Sequence, residues 1–211
     1  MRERETMKIP ATNPSPKDLA DEIRSIGFSC TRCGTCCRSG PDDSGLVFAS
    51  HDEVAALVAS GAGPWDGVAV PYPDFILCGN GTLVTFGWCL RHDKGRCRFL
   101  TQQGCTRYPF RPWICRTYPF ALVEGDLTVS DCPGLGGSIS EAEALSLAGD
   151  LLERARFEAG DEERVRRVFA SARIPEGKRC VVDGSGLRIC GSEPPATGPG
   201  KSDPRKPHVP P

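Results

Sequence analysis

No run of apolar residues in this sequence is long enough to cross a bilayer, and no excess of charge of one sign runs through it. A membrane-spanning helix needs about 20 consecutive, mostly apolar residues. The formal net charge is −1, which removes the general electrostatic case for binding nucleic acid or a membrane surface. The first ten residues, Met1-Arg-Glu-Arg-Glu-Thr-Met-Lys-Ile-Pro10, are charged and hold no apolar signal core. A reduced, cytoplasmic setting is therefore expected. Histidine is scarce, at three residues. No hydrolase triad, phosphate-binding loop or nucleic-acid motif presents itself.

What the chain has in excess is cysteine, with 12 residues. In a reducing compartment such thiols are more often metal ligands or catalytic groups than disulfides. Cys30, Cys33, Cys36 and Cys37 fall within the eight residues of Cys30-Thr-Arg-Cys-Gly-Thr-Cys-Cys37. Neighbouring cysteines such as Cys36 and Cys37 are poorly placed to bond each other. The C-x2-C-x2-C-C spacing lets one tight loop aim several sulfurs at a point, as a soft metal ion or an iron–sulfur cluster requires. Gly34, inside the run, is suited to the positive φ such a loop needs.

The abundance of Gly (24) and Pro (19) predicts a loop-rich α+β fold. Its form is a small, irregular domain organised by metal, with short hairpins and a C-terminal helical segment. Residues 1–14 read as a disordered lead, 15–190 as the metal-binding domain, and 191–211 as a disordered Pro-rich tail. Helical spacing over 16–26 ends at Gly27. Ser50-His-Asp-Glu53 is a capping box that opens a helix over 51–60. Residues 62–74 read as loop, and 75–78 with 82–88 as a hairpin around Gly79-Asn-Gly81. Residues 120–123 and 127–130 flank a turn at 124–126. A second capping box, Ser140-Glu-Ala-Glu143, opens a helix to about 159. Gly160 is expected to stop that helix, and Asp161 to cap a further one. A third hairpin, over 180–190, would bring Cys180 and Cys190 face to face.

Four more cysteines follow the first cluster: Cys97, Cys105, Cys115 and Cys132. Pairing the arms of the hairpin about 124–126 brings Cys132 back beside Thr117, near Cys115. With the first four this makes eight candidate ligands, enough for two four-cysteine sites. Cys78 and Cys89 read as packing residues. Cys180 and Cys190 remain open between packing, a disulfide and an extra ligand pair. His92 is either a solvated loop residue or a thiolate substitute in a Cys3His site. Arg111 and Arg116, interleaved with the cysteines, are expected to offset the negative charge of a thiolate-ligated centre. An anionic substrate and plain surface solvation are the other readings of these arginines.

The order C-x2-C-x2-C-C, then Cys97-Arg-Phe-Leu100, then Gly104-Cys-Thr-Arg-Tyr-Pro-Phe-Arg-Pro-Trp-Ile-Cys-Arg-Thr-Tyr-Pro-Phe120, then Cys132 resembles the YkgJ-type cysteine-cluster proteins. That family carries the zinc- or iron-chelating CxxCxxCC domain, and the likeness spans roughly residues 27–134. It implies a metal- or iron–sulfur-binding protein. Some longer relatives methylate flagellin lysines, but no Gly-rich loop suited to S-adenosylmethionine is recognisable here. The bunched C-x2-C-x2-C spacing favours a four-iron cluster over zinc, whose ligands come more often as two separated C-x2-C pairs. Three functions follow: an iron–sulfur protein serving a redox or protein partner, a structural zinc module, or an enzyme that modifies a protein substrate.

Overall fold

Residues 14–39 and 45–190 are described by the computed structural model of the protein. The expected tail, and all but the last residue of the expected lead, lie outside the described residues. The helices are α1 (Pro16–Ile26), α2 (His51–Ala59), α3 (Trp65–Val68), α4 (Trp113–Thr117) and α5 (Glu141–Ser171). The strands are short: β1 (Phe48–Ala49), β2 (Ala69–Pro71), β3 (Ile76–Leu77), β4 (Leu83–Phe86), β5 (Trp88–Leu90), β6 (His92–Asp93) and β7 (Arg96–Cys97). They continue as β8 (Leu100–Thr101), β9 (Gly104–Cys105), β10 (Phe120–Val123), β11 (Asp126–Val129), β12 (Arg179–Asp183) and β13 (Gly186–Cys190). The architecture is the loop-rich α+β one expected. Among the described residues no helix is long and apolar enough to cross a membrane.

Three small cores carry these elements. The first joins β1, β5 and β2, in that sheet order, to α2 and α3. The second is α1 against the N-terminal half of α5, with Phe120 of β10 between them. The third lies between the sheet β13-β12-β4-β3 and the far end of α5, where Phe169 meets Phe86 edge to face.

Local signals account for most helix starts. Ser15 caps α1 through Asp18 N at 3.1 Å, and Gly27 at φ 75° ends it. Ser50 and Glu53 exchange both capping-box hydrogen bonds, as do Ser140 and Glu143.

Several expectations need correcting. Residues 62–74 are not all loop: they hold α3 and β2, formed because Trp65 packs on Trp88 (5.2 Å) and on His51 (5.0 Å). Such tertiary contacts leave no local signature. The strand expected over 82–88 breaks at Gly87 (φ 81°), so that β4 and β5 enter different sheets. The hairpin between β10 and β11 turns on two residues, Glu124 and Gly125, both at positive φ.

The largest difference is α5, a single helix of 31 residues that runs straight through Gly160. Asp161 does not cap a new helix. It stays in the old one, with its carboxylate 2.8 Å from Arg164 one turn on. A glycine inside a helix costs only about 1 kcal/mol, and packing on the second and third cores outweighs that. Because a Cβ built on Gly160 meets only the Arg164 guanidinium, at 3.9 Å, Gly160→Ala is expected to stabilise the protein by roughly 0.5–1 kcal/mol. Urea denaturation checks this; a helix stop at 160 would give destabilisation instead.

Candidate metal centre

The cysteine run of residues 30–37 has little regular structure, and it is held by its ends. At one end Phe28 bridges Leu135, Ser29 N donates to Gly134 O (2.9 Å), and Gly136 N donates to Gly27 O (3.0 Å). A Cβ on Gly134 would sit 2.4 Å from Ser29 O, so only glycine permits this approach. At the other end Arg38 bridges Arg96, and Ser39 N donates to Gly95 O (2.9 Å). Between the clamps Gly34 takes the left-handed conformation (φ 72°) and starts a 3-10 turn over Thr35–Cys37. The first clamp thus lies beside Cys132 and the second beside Cys97. The slung loop closes over thiols that come from elsewhere in the chain.

Those thiols share a cavity of about 270 Å³. Six of the eight candidate ligands line it: Cys30, Cys36, Cys37, Cys97, Cys105 and Cys115. Its apolar floor includes Val47, Leu57 and Leu90 of the first core. Among the described residues its charged lining is Arg32, Arg107 and Arg111, without a carboxylate. Cys33 and Cys132 are not among the lining residues. Cys33 Sγ is 3.3 Å from Thr35 Oγ1, and Cys132 Sγ accepts from Gly134 N at 3.4 Å.

The expected hairpin forms and carries Cys132 back toward Tyr118, but not into the cavity that Cys115 lines. Phe120 pairs with Val129, and Ser130 N reaches Pro119 O at 2.8 Å. Tyr118, whose hydroxyl donates to Asp131 O, stands at this junction and also lines the cavity. Sequence reasoning passed over Tyr118, because only the hairpin register brings it there.

The thiols feel one another. Burial pushes the Cys115 thiol well above its ordinary value, and the charges of Cys97, Cys36 and Cys105 push it further, against the pull of Arg111. Cys97 is raised chiefly by burial and also by Cys105 and Cys36. Cys36 is raised most by its contact with the Cys37 thiol, then by burial. Cys33 is the opposite case: hydrogen bonds from Thr35 lower it. Burial, then the charges of Cys132 and Cys36, raise Tyr118.

The residue types suit a soft metal or an iron–sulfur cluster, since thiolate is the donor both favour. In the geometry, Cys36 and Cys37 Sγ lie 4.0 Å apart. Among the described residues no three His, Cys, Asp or Glu side chains are drawn together as a metal ion would hold them. The sulfurs line a shared space without collapsing to a point.

The two arginines differ. Arg111 faces the cavity, stacks 3.6 Å over the Tyr108 ring and donates to Cys115 O (3.0 Å). Arg116 lies outside the cavity lining. It donates to Arg111 O (2.8 Å) and covers Trp113 at 5.1 Å, so it braces the loop that carries Arg111.

The remaining candidates sit apart. His92 Nδ1 is 3.2 Å from Ser39 Oγ, and His92 is not a cavity-lining residue. Cys89 is buried within β5, and Cys78 packs on the third core. Cys180 and Cys190 do not face each other. The register pairs Cys180 with Ile189 and Cys190 with Arg179, one residue out of step. A one-residue offset sends side chains to opposite faces of a sheet. Cys180 therefore enters the third core while Cys190 packs against the first. None of the 12 cysteines is in a disulfide.

Glu53 is a further residue the sequence did not single out for the site. Its Oε2 accepts from Ser50 N and its Oε1 from Trp113 N, both at 2.8 Å. One carboxylate thus caps α2 and also the helix that carries Cys115. Burial raises its pKa, and those hydrogen bonds hold it down. Removing a buried hydrogen-bond partner costs about 1–3 kcal/mol. Glu53→Ala is accordingly expected to lower the urea midpoint and the metal bound per chain, with Glu53→Gln losing less of both. In the metal-free chain, Cys33 should be alkylated by iodoacetamide faster than Cys36 or Cys115, as peptide mass spectrometry would read, because the thiolate is the reactive form.

Comparison with curated proteins and with solved structures finds no match. A protein-family model does match, over residues 29–133, and its description is CxxCxxCC, a "putative zinc- or iron-chelating domain". Its span begins at the first clamp and ends one residue past Cys132, taking in all eight candidate ligands. On that match, and on the thiols that converge inside it, the chain belongs to the CxxCxxCC family of zinc- or iron-chelating domains.

Proposed function

We propose that this chelating domain holds an iron–sulfur centre, with a four-iron cluster favoured, and that the protein serves a redox or protein-modifying partner in a reducing, cytoplasmic setting. The observation that carries this reading is the shared cavity: six thiols on about 270 Å³, with three arginines and no carboxylate among the described residues of the lining. A single zinc, bound at about 2.3 Å, draws its four sulfurs to within roughly 3.8 Å of one another. The cavity is wider than that arrangement needs, and the loop spacing is the one ferredoxin-type segments use.

A four-iron cluster takes four thiolates, and we draw them from Cys30, Cys36, Cys37, Cys97, Cys105 and Cys115, with Cys33 and Cys132 at the cavity's edge beside Tyr118. A cluster so held supplies a one-electron couple. The chain's own part is to orient and insulate. Leu57, Leu90 and Val47 keep water from the floor, Glu53 fixes the start of α4, and Arg111 sets a positive charge beside Cys115. Arg116 holds Arg111 in place through its backbone. An exposed rim of Tyr108 and Phe110 beside this cavity is a surface for a protein partner.

One observation favours a second reading, a zinc module. The 4.0 Å separation of Cys36 and Cys37 Sγ is close to the edge of a zinc–thiolate tetrahedron.

Iron, zinc and acid-labile sulfide per chain, measured on protein purified without oxygen, separate the two. The expected result is iron and sulfide in near-equal amounts, with visible absorption that dithionite bleaches. Zinc alone would replace the cluster with the zinc module. Cys36→Ser and Cys115→Ser should each lower the metal content severalfold, while Cys78→Ser, outside the cavity, should leave it unchanged.

A further inference from the structure

Away from the cysteines, one imidazole nitrogen has three claimants. His51, the first residue of α2, places Nδ1 3.1 Å from Ser185 Oγ, 3.3 Å from Arg188 Nη2 and 3.4 Å from Asp183 Oδ2. Its ring lies 5.0 Å from that of Trp65, and its side chain is 19% exposed. Asp183 is buried and well held. Trp88 Nε1 donates to its Oδ2 (2.8 Å), while Ser185 N (2.9 Å) and Ser185 Oγ (2.8 Å) donate to its Oδ1. Arg188 is 42% exposed and lies over Trp65 at 4.5 Å, with Nε 3.7 Å from Asp183 Oδ2.

These contacts cannot all be satisfied by one state of the nitrogen. The Arg188 guanidinium is only a donor, so its contact requires a bare Nδ1. Ser185 has given its hydroxyl hydrogen to Asp183, so it and Asp183 Oδ2 can only accept from Nδ1. Their contacts require a protonated Nδ1. Histidine as a residue type ordinarily changes charge near neutral pH; the imidazolium always carries the Nδ1 hydrogen, whereas the neutral ring leaves Nδ1 bare when its hydrogen sits on Nε2.

The charges around His51 define the balance. Asp183 favours the imidazolium; Arg188 and the N-terminus of α2 oppose it. Asp52, next in α2, is held by Arg164 of α5 (3.0 Å), which also binds Asp161 (2.8 Å). Glu53 is committed to Ser50 and Trp113.

We infer that His51 is a proton-operated latch between α2 and the hairpin of β12 and β13. With Nδ1 bare it keeps Arg188 flat over Trp65. On protonation it donates to Asp183 and Ser185, the second cation is repelled, and Arg188 leaves the indole for solvent. The latch joins the first core to the third, and it acts on the helix that supplies Leu57 to the cavity floor.

NMR on the full chain, purified with its metal, tests this between about pH 8 and pH 5. Trp65 Nε1 is buried without a hydrogen-bond partner, so its resonance follows the charges on both neighbours of the ring, His51 at 5.0 Å and Arg188 at 4.5 Å; the contacts between the Arg188 and Trp65 side chains tell the two apart. The Trp65 indole resonance should titrate with the His51 ring midpoint, and contacts between the Arg188 and Trp65 side chains should be lost on the acid side. His51→Phe, which keeps a ring against Trp65, should abolish the titration of the indole. Arg188→Ala should shift the His51 midpoint upward, since a neighbouring cation is removed. Contacts between the Arg188 and Trp65 side chains that persist while His51 titrates would overturn the latch. So would a His51 midpoint unchanged or lowered in Arg188→Ala, whether or not the His51 variant folds.

Discussion

Thiolate charge crowded at the edge of a small core is the condition to which the rest of this structure answers. Burial, and then the charges of Cys36 and Cys105, make Cys97 and Cys115 harder to ionise, as the neighbouring Cys37 thiol and then burial do for Cys36. Without a cation, Cys36, Cys97 and Cys115 resist ionisation, and the loops that carry them are held by their backbone contacts with other segments. With one, the sign of the interaction reverses and the same crowding becomes attraction. The arginines of the cavity lining act in the same direction. The first core lends the cavity its apolar floor but supplies none of its cations, so the surrounding loops must balance the charge.

Because those loops have almost no interior, they are positioned by backbone contacts with other segments. The cysteine run hangs between a clamp at 134–136 and a clamp at 95–96. Three two-stranded hairpins, β6 with β7, β8 with β9, and β10 with β11, bring Cys97, Cys105 and Cys132 to its sides. Glu53 then ties the approach of Cys115 to a regular helix. Order around the cavity is thus borrowed from elements whose stability does not depend on it.

Much of this was legible in the residues. Capping boxes, the Gly27 stop and the hairpin turn at Gly125 are local chemistry, and they name their own positions. The eight cysteines were legible as a set because thiols at such spacing have few other uses. What escaped was whatever depends on partners distant in sequence. Gly160 reads as a stop, but α5 is held from both ends by cores it helps to build. Trp65 starts a helical turn only because Trp88 and His51 are there to receive it. Cys180 and Cys190 lie symmetrically in the sequence about 185, whereas the hairpin centres half a residue earlier, and that offset sends them to opposite faces. Glu53 reads as half of one capping box, and its second helix lies 60 residues away.

An unbroken α5 has one more consequence. At 31 residues it is about 46 Å long, and it touches α1 at one end and the β12–β13 sheet at the other. Packed into a core at each end, it acts as a strut that fixes the spacing of the two. The cysteine loops are fastened to that strut only at points along it. The molecule therefore has a frame and a fitting, and the fitting can loosen while the frame stands. Its unfolding is accordingly expected in two transitions, with metal setting the first and the strut the second.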